Sequence, residues 1–338
     1  MKEKNSLKKI LFFYKDIEIL NYKMFRQDIR VKWALYKLSK GIWENIFSQD
    51  FPFNELTPNQ KYNGSVPRNQ LREKKKRLRL KINERSYDFT EVGDLLVALY
   101  LESFWALEKS IFWYFNYKHN LTRFHHLSGT QSRYYSKFFA IVAILRLLGS
   151  GIIHTSYGKF KIKTDWTDLK VQIKYSTNIT SSHKDKYQFF INQLKEQNLQ
   201  LYKELDDFAN NQNYQKVFKW ITREREEKIY DTASNLSDPF IFFFGDDQQL
   251  YEHRRMNCYL DPFEEIEAIN EDHAEFLIGE FSEWGWMENL IGMFWRFIIG
   301  IYKKLPYASK YLVILKEKLE YFNELDEIPK KKILKMIS

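Results

Sequence analysis

The sequence predicts a mainly α-helical protein, a multi-helix body with a small β-hairpin or three-stranded sheet inserted around residues 152–175. Apolar residues recur at intervals of three and four over long stretches of the chain, which is the spacing of a helix face. Near the middle the period changes to two, as in strands with one wet face. A hydrophobic content of 44% and an aromatic content of 17% are sufficient for a large core.

The N-terminal region combines helical spacing with a segment rich in turn residues. Residues 7–47 contain no proline and a single glycine, and their apolar spacing predicts one or two helices. Residues 48–69 have the composition of a loop and mark a candidate boundary. The turn residues there are Pro52, Pro58, Gly64 and Pro67. We therefore expect a basic helical region and loop over 1–69, and a helical body with the β insertion over 70–338.

Two long helices are predicted before the sheet. The first covers residues 91–117, which are apolar and aromatic. The second covers residues 130–149, where the buried stripe repeats at four and three. Its members are Tyr134, Phe138, Ile141, Leu145 and Leu148. Glycines at 149 and 151 end this helix.

The alternating segment follows directly. Apolar positions 160, 162, 169, 171, 173 and 175 alternate with polar ones, and Ile152-Ile153 precedes them. This pattern predicts strands with one solvated face. Helical patterns then return over 184–230 and near 247–260, 263–282, 285–304 and 308–324.

Charge is unevenly distributed along the chain, whose formal net charge is +9. Residues 1–86 hold 21 basic and 9 acidic residues, whereas residues 238–283 hold 2 basic and 13 acidic residues. Such separation indicates either a basic surface for phosphates or two regions, in one or two protomers, that attract each other.

The cellular compartment is predicted from cysteine and from apolar runs. Cys258 is the single cysteine, so an intramolecular disulfide is impossible and a reducing compartment is favoured. The N-terminal apolar run, residues 10–14, is shorter than a signal-peptide core. The apolar stretch 290–301 is too short to span a bilayer and contains Arg296. We therefore expect a cytoplasmic protein without a membrane partner.

Two segments resemble landmarks of one superfamily. Residues 132–145 read SRYYSKFFAIVAIL and are similar to the S-R-Y-Y-x-x-F-x-A helix of the HEPN superfamily, small helical domains of prokaryotic toxins and antiphage defence systems. Residues 250–259 read LYEHRRMNCY and resemble its second landmark, L-Y-x-x-R-x-x-x-x-Y.

The resemblance implies a metal-independent ribonuclease that needs no cofactor and works as a dimer on RNA. Histidine can pass protons near neutral pH, and arginine can hold phosphate oxygens in a planar fork. The matching segment places these residue types at Arg254, Arg255 and His253, with Asn257 and Tyr259 in support. None of the seven histidines has the family's Arg-x(4–6)-His spacing: seven residues separate Arg146 from His154, and His253 directly precedes Arg254.

A structural role for the two arginines is the alternative. Arg254 and Arg255 would then form ion pairs with Asp246, Asp247 or the acidic helix after Asp261. The chain would be a non-catalytic interaction subunit of a defence complex that binds another protein.

The basic run at 72–81 is the candidate RNA-binding segment, since each phosphate contact adds salt-sensitive affinity. Its cations are Arg72, Lys74, Lys75, Lys76, Arg77 and Arg79. A solvated helix face explains the same residues. The sequence contains no phosphate-binding glycine loop and no nucleophile elbow, which disfavours kinases, NTPases and serine hydrolases.

A metal-dependent nuclease site is a further hypothesis. Asp165 or Asp168 with Gln172 and Lys174 is similar to an Asp…(Asp/Glu)-x-Lys arrangement, in which carboxylates hold Mg²⁺. A neutral amide at 172 is a poor metal ligand. A wet strand face is the alternative, and we favour it.

Overall fold

Helices account for most of the described chain. The computed structural model describes residues 3–17, 31, 34, 35, 86–122, 126–155, 158–176, 183–209, 281–321 and 327–338. Within these ranges the helices are α1 (Glu3–Tyr14), α2 (Gly93–Thr122), α3 (His126–Leu147), α4 (His183–Glu196), α5 (Gln200–Ala209), α6 (Phe281–Tyr302), α7 (Pro306–Tyr321) and α8 (Glu327–Ile337). They hold 74% of the described residues, which confirms the predicted fold class.

The sheet is antiparallel and has four strands in the order β1-β4-β3-β2. The strands are β1 (Ser86–Asp88), β2 (Gly151–Thr155), β3 (Gly158–Asp165) and β4 (Lys170–Ser176). The last three are the strands that the alternating pattern predicts. The additional strand β1 was not predicted, because its three residues are too few to reveal a period of two. Its central residue, Tyr87, is buried between two exposed neighbours.

The described residues divide into two units. The first comprises 1–105 and 142–181, and the second comprises 106–141 and 182–338. The predicted boundary at 69/70 lies outside the described residues, so that division stays a prediction.

An aromatic cluster forms the core of the first unit. Trp166 is fully buried, and its ring lies 4.9 Å from Phe89 and 5.7 Å from Tyr14. Its indole N–H donates to the carbonyl of Leu148 at 2.9 Å. Tyr14 also stacks on Tyr100 at 4.2 Å. The sheet and the N-terminal helix therefore share one core through Trp166.

α3 ends in a glycine turn that begins the sheet. The N–H of Ser150 donates to the carbonyl of Leu145, and the N–H of Gly149 donates to that of Arg146, which together form a Schellman motif. Gly149 has a φ of 68°, where a side chain is strained. A Cβ there would also lie 2.8 Å from Leu96 Cδ2. The predicted glycine stop is thus confirmed.

Helix bounds in the second unit agree with the predicted spacing in several places. The helices α6 and α7 cover the segments predicted near 285–304 and 308–324. The predicted helical stretch 184–230 is interrupted at 197–199, between α4 and α5. Predictions for 210–280 lie outside the described residues. No helix within the described ranges is long and apolar enough to cross a bilayer.

Candidate functional site: a cationic pocket between two helices

A pocket of about 600 Å³ lies between α6 and α8 in the second unit. Helix α2 contributes Tyr114 to it. The remaining lining residues are Gly292, Trp295, Arg296, Ile299, Gly300, Lys303, Lys332, Ile333, Lys335 and Met336. A volume of this size falls within the range of small-molecule sites, roughly 300–1,000 Å³.

One face of α6 forms the first wall. Gly292, Arg296 and Gly300 are spaced at four residues, so they lie in one row along the helix. A Cβ at Gly300 would meet nothing within 4 Å, and one at Gly292 would lie 3.7 Å from Met336 Cε. Gly300 therefore leaves open space beside the arginine, whereas Gly292 lies close to Met336 and to the Arg296 guanidinium itself.

The second wall is α8. Ile333 is 1% exposed and Ile337 is 6% exposed, and these two residues, four apart, anchor the helix in the core. Lys332 and Lys335 are exposed at the pocket. The helix thus places its basic side chains opposite Arg296 while its isoleucines pack.

Among the described residues that line the pocket there are four cations and no acidic residue. The cations are Arg296, Lys303, Lys332 and Lys335, and all four are exposed. Within the described part of the chain, no carboxylate pairs with Arg296, Lys303 or Lys335. Since like charges gathered around one cavity raise the local concentration of counter-ions, the pocket is suited to an anion.

The floor of the pocket is aromatic and fixed. Tyr114 and Trp295 are 4% and 3% exposed, and their rings meet edge to face at 5.1 Å. The Trp295 indole N–H donates to the Ser110 hydroxyl at 2.8 Å. The two rings therefore form a fixed part of the pocket wall.

The residues that the sequence predicted for catalysis and RNA binding are not among those described. His253, Arg254, Arg255, Asn257 and Tyr259 lie outside the described ranges. The basic-run cations Arg72, Lys74, Lys75, Lys76, Arg77 and Arg79 do as well. Both assignments stay predictions.

The first HEPN-like segment lies on α3, and it is largely core. Tyr134, Ser136 and Phe138 are buried, and Lys137 is 1% exposed. The Lys137 ammonium lies 5.7 Å from the Tyr187 ring centroid, close enough for a cation–π contact. These residues hold α3 against its neighbours, and Arg133 is partly exposed.

The candidate metal-nuclease residues form a turn instead. A carboxylate oxygen of Asp165 accepts hydrogen bonds from the N–H groups of Thr167 and Asp168, at 2.8 and 3.2 Å. Gln172 and Lys174 are exposed on β4, as a wet strand face requires. Among the residues that the structure describes, no group of three or more His, Cys, Asp or Glu side chains could hold a metal ion.

Sequence reasoning missed this pocket. It treated Arg296 only as a charge that argues against a membrane span, and it did not predict α8. The available signals were the four-residue spacing of Gly292, Arg296 and Gly300 and the pair Ile333 and Ile337. Which helix faces that row depends on tertiary packing, which neither signal reveals.

No family model, no curated protein and no solved structure matches this chain.

Proposed function

We propose that the protein binds RNA, and that it is a HEPN-like effector of a prokaryotic defence or toxin system that cleaves RNA without a metal. The observation that carries RNA binding is the pocket between α6 and α8, whose described lining residues include four cations and no acid. The resemblance of residues 132–145 and 250–259 to HEPN landmarks supports the choice of RNA and of cleavage.

The pocket chemistry suits a nucleic acid. The guanidinium of Arg296 offers a planar fork to phosphate oxygens, and the lysines add mobile charges. Ile299 and Met336 supply an apolar wall for a sugar or a base. A nucleotide combines a phosphate with a base, so cations beside an apolar wall match its two parts.

Cleavage would depend on His253, Arg254 and Arg255. In this proposal the histidine takes the proton of the 2′-hydroxyl, which then attacks the adjacent phosphorus, while the arginines hold the phosphate oxygens. The bond from phosphorus to the 5′-oxygen breaks, this oxygen takes a proton from water, and the other product carries a 2′,3′-cyclic phosphate. Two protomers would supply the groups together, as the resemblance implies.

A non-catalytic subunit is the second candidate function. It is favoured by one observation, the absence of the family's Arg-x(4–6)-His spacing around Arg254. The acidic segment 238–283 and the basic segment 1–86 would then bind protein partners of a defence complex.

RNA binding is tested by fluorescence anisotropy with a labelled single-stranded RNA. Lys303→Glu should weaken binding about 10-fold to 100-fold, the equivalent of one charged hydrogen bond. Lys304→Glu is the matched control, because Lys304 is an equally exposed neighbour that does not line the pocket. Lys303→Ala should also reduce the slope of log affinity against log salt by about 0.7. Equal weakening by the two glutamate variants would exclude the pocket.

Cleavage is tested separately by incubating the protein with RNA in EDTA. We expect wild-type cleavage that the Arg254→Ala/Arg255→Ala variant loses while its circular dichroism spectrum stays unchanged. RNA binding without cleavage by either protein would instead support the interaction subunit.

A further inference from the structure

The charge of the pocket exceeds that of an internal RNA phosphate. A phosphodiester carries one negative charge, whereas a terminal phosphomonoester carries about −1.5 to −2 near pH 7. Three cations that line the pocket, Arg296, Lys303 and Lys335, have no carboxylate partner among the residues that the structure describes. A terminal phosphate, which carries more negative charge, balances these cations better than an internal phosphodiester does.

The shape of the pocket leads to the same ligand. α6, α8 and the rings of Tyr114 and Trp295 bound a volume of about 600 Å³. That is the size of a site for one small molecule rather than of an extended groove that follows a strand. A terminal nucleotide would fill much of this volume.

We infer that the pocket binds a nucleotide through its terminal phosphate group, either the phosphorylated end of an RNA strand or a free nucleotide. For an RNA ligand the inference rests on the proposed function, and it names the part of the RNA that the pocket takes. Arg296 and the lysines hold the phosphate oxygens, and Ile299 and Met336 pack against the nucleoside. The open space at Gly300 admits the ligand between the two helices.

The test compares three otherwise identical ten-nucleotide RNAs in anisotropy titrations: one with a 5′-phosphate, one with a 3′-phosphate and one with hydroxyls at both ends. We expect wild-type protein to bind at least one phosphorylated RNA about 10-fold more tightly than the hydroxyl RNA, because the additional charge is held by cations.

Two pairs of variants localise the effect. Lys303→Glu and Gly300→Phe should abolish the preference for a phosphorylated end, the first by charge and the second by filling the pocket. Lys304→Glu and Gly300→Ala should retain it, since Lys304 does not line the pocket and a methyl group occupies little of it. Circular dichroism verifies that all four variants fold.

The outcomes separate this inference from the proposed function. Equal binding of the three RNAs, reduced by Lys303→Glu, would overturn the inference and leave RNA binding intact. Calorimetry with a nucleoside monophosphate, the nucleoside and inorganic phosphate identifies the source of the ligand. If the monophosphate binds in the pocket and no RNA does, the inference holds for a free nucleotide and the proposed function fails. If none of these ligands binds, both are wrong.

Discussion

The Trp295 indole donates a 2.8 Å hydrogen bond to the Ser110 hydroxyl, which itself donates to the carbonyl of Ser136 at 2.7 Å. Ser136 returns a hydrogen bond from its hydroxyl to the carbonyl of Ser110 at 2.8 Å. All three side chains are buried. This network joins α2, α3 and α6, so it fixes the aromatic floor of the cationic pocket.

Ser110→Ala should lower the free energy of unfolding by about 1–3 kcal/mol, because the buried Trp295 N–H loses its acceptor and cannot reach water. Urea denaturation measures the change. Ser309→Ala is the control, since the Ser309 hydroxyl also donates to a backbone carbonyl, at 2.7 Å, but in an exposed position. Its effect should stay within about 0.5 kcal/mol. A similar loss in both variants would show that the buried network adds nothing.

Removal of Glu102 should be more costly. The Glu102 carboxylate lies 2.9 Å from Arg146 Nε, and both side chains are less than 10% exposed. Glu102→Ala leaves a buried guanidinium without this partner, for which we expect a loss of about 3–5 kcal/mol in urea denaturation.

The double variant Glu102→Met/Arg146→Met provides the comparison. It removes both charges, so most of that loss should be recovered. If the double variant were as unstable as Glu102→Ala, packing around the two chains rather than the unpaired charge would cause the instability. Position 151 must be glycine for this ion pair to form, since a Cβ there would collide with the Arg146 guanidinium.

Lys174→Glu should stabilise the sheet. Lys161 on β3 and Lys174 on β4 are directly opposite in the register, so two like charges share one face. The substitution gives an opposite-charge pair and should raise the free energy of unfolding by about 0.2–1 kcal/mol at low salt. The gain should shrink at high ionic strength. A gain unaffected by salt would indicate a cause other than charge.

The sequence predicted those helices and strands in which the apolar spacing repeats several times. The stripe of Tyr134, Phe138 and Ile141 repeats at four and three, which specified α3 from the sequence. By contrast, β1 has three residues, and α8 has eleven residues with three consecutive lysines, 330–332, near its start. Its packing residues, Ile333 and Ile337, make only one repeat. Short elements depend on tertiary contacts for their conformation, and periodicity does not record such contacts.

The pocket was less predictable than the fold. Gly292, Arg296 and Gly300 form a row that spacing alone could have revealed, and the open space beside them could not. That space exists because α8, some forty residues later, packs opposite the row with Lys332 and Lys335 at its rim. A site made of two helices requires knowledge of which helices are neighbours. A single sequence does not contain that information in any local pattern.

High pH should destabilise the first unit through Tyr14 and Tyr100. Burial raises the pKa of Tyr14 well above its ordinary value, and the neighbouring Tyr100 raises it further. Burial also raises the pKa of Tyr100. Both groups hold their protons more tightly in the folded state, so their contribution is complete below about pH 10, the ordinary tyrosine value. It is lost as the pH rises from there towards the folded-state values.

The free energy of unfolding, measured by urea denaturation, should therefore fall above pH 10 by about 1.4 kcal/mol per pH unit for each such tyrosine. Tyr14→Phe should reduce that slope by the contribution of one tyrosine. It should change the free energy of unfolding little at pH 7, since the Tyr14 hydroxyl lies 3.5 Å from the Leu96 carbonyl and makes a weak hydrogen bond. Tyr321→Phe, at a side chain 83% exposed, is the control for loss of a phenol at the surface. An unchanged slope in Tyr14→Phe would mean that Tyr14 ionises no less readily when folded than when unfolded.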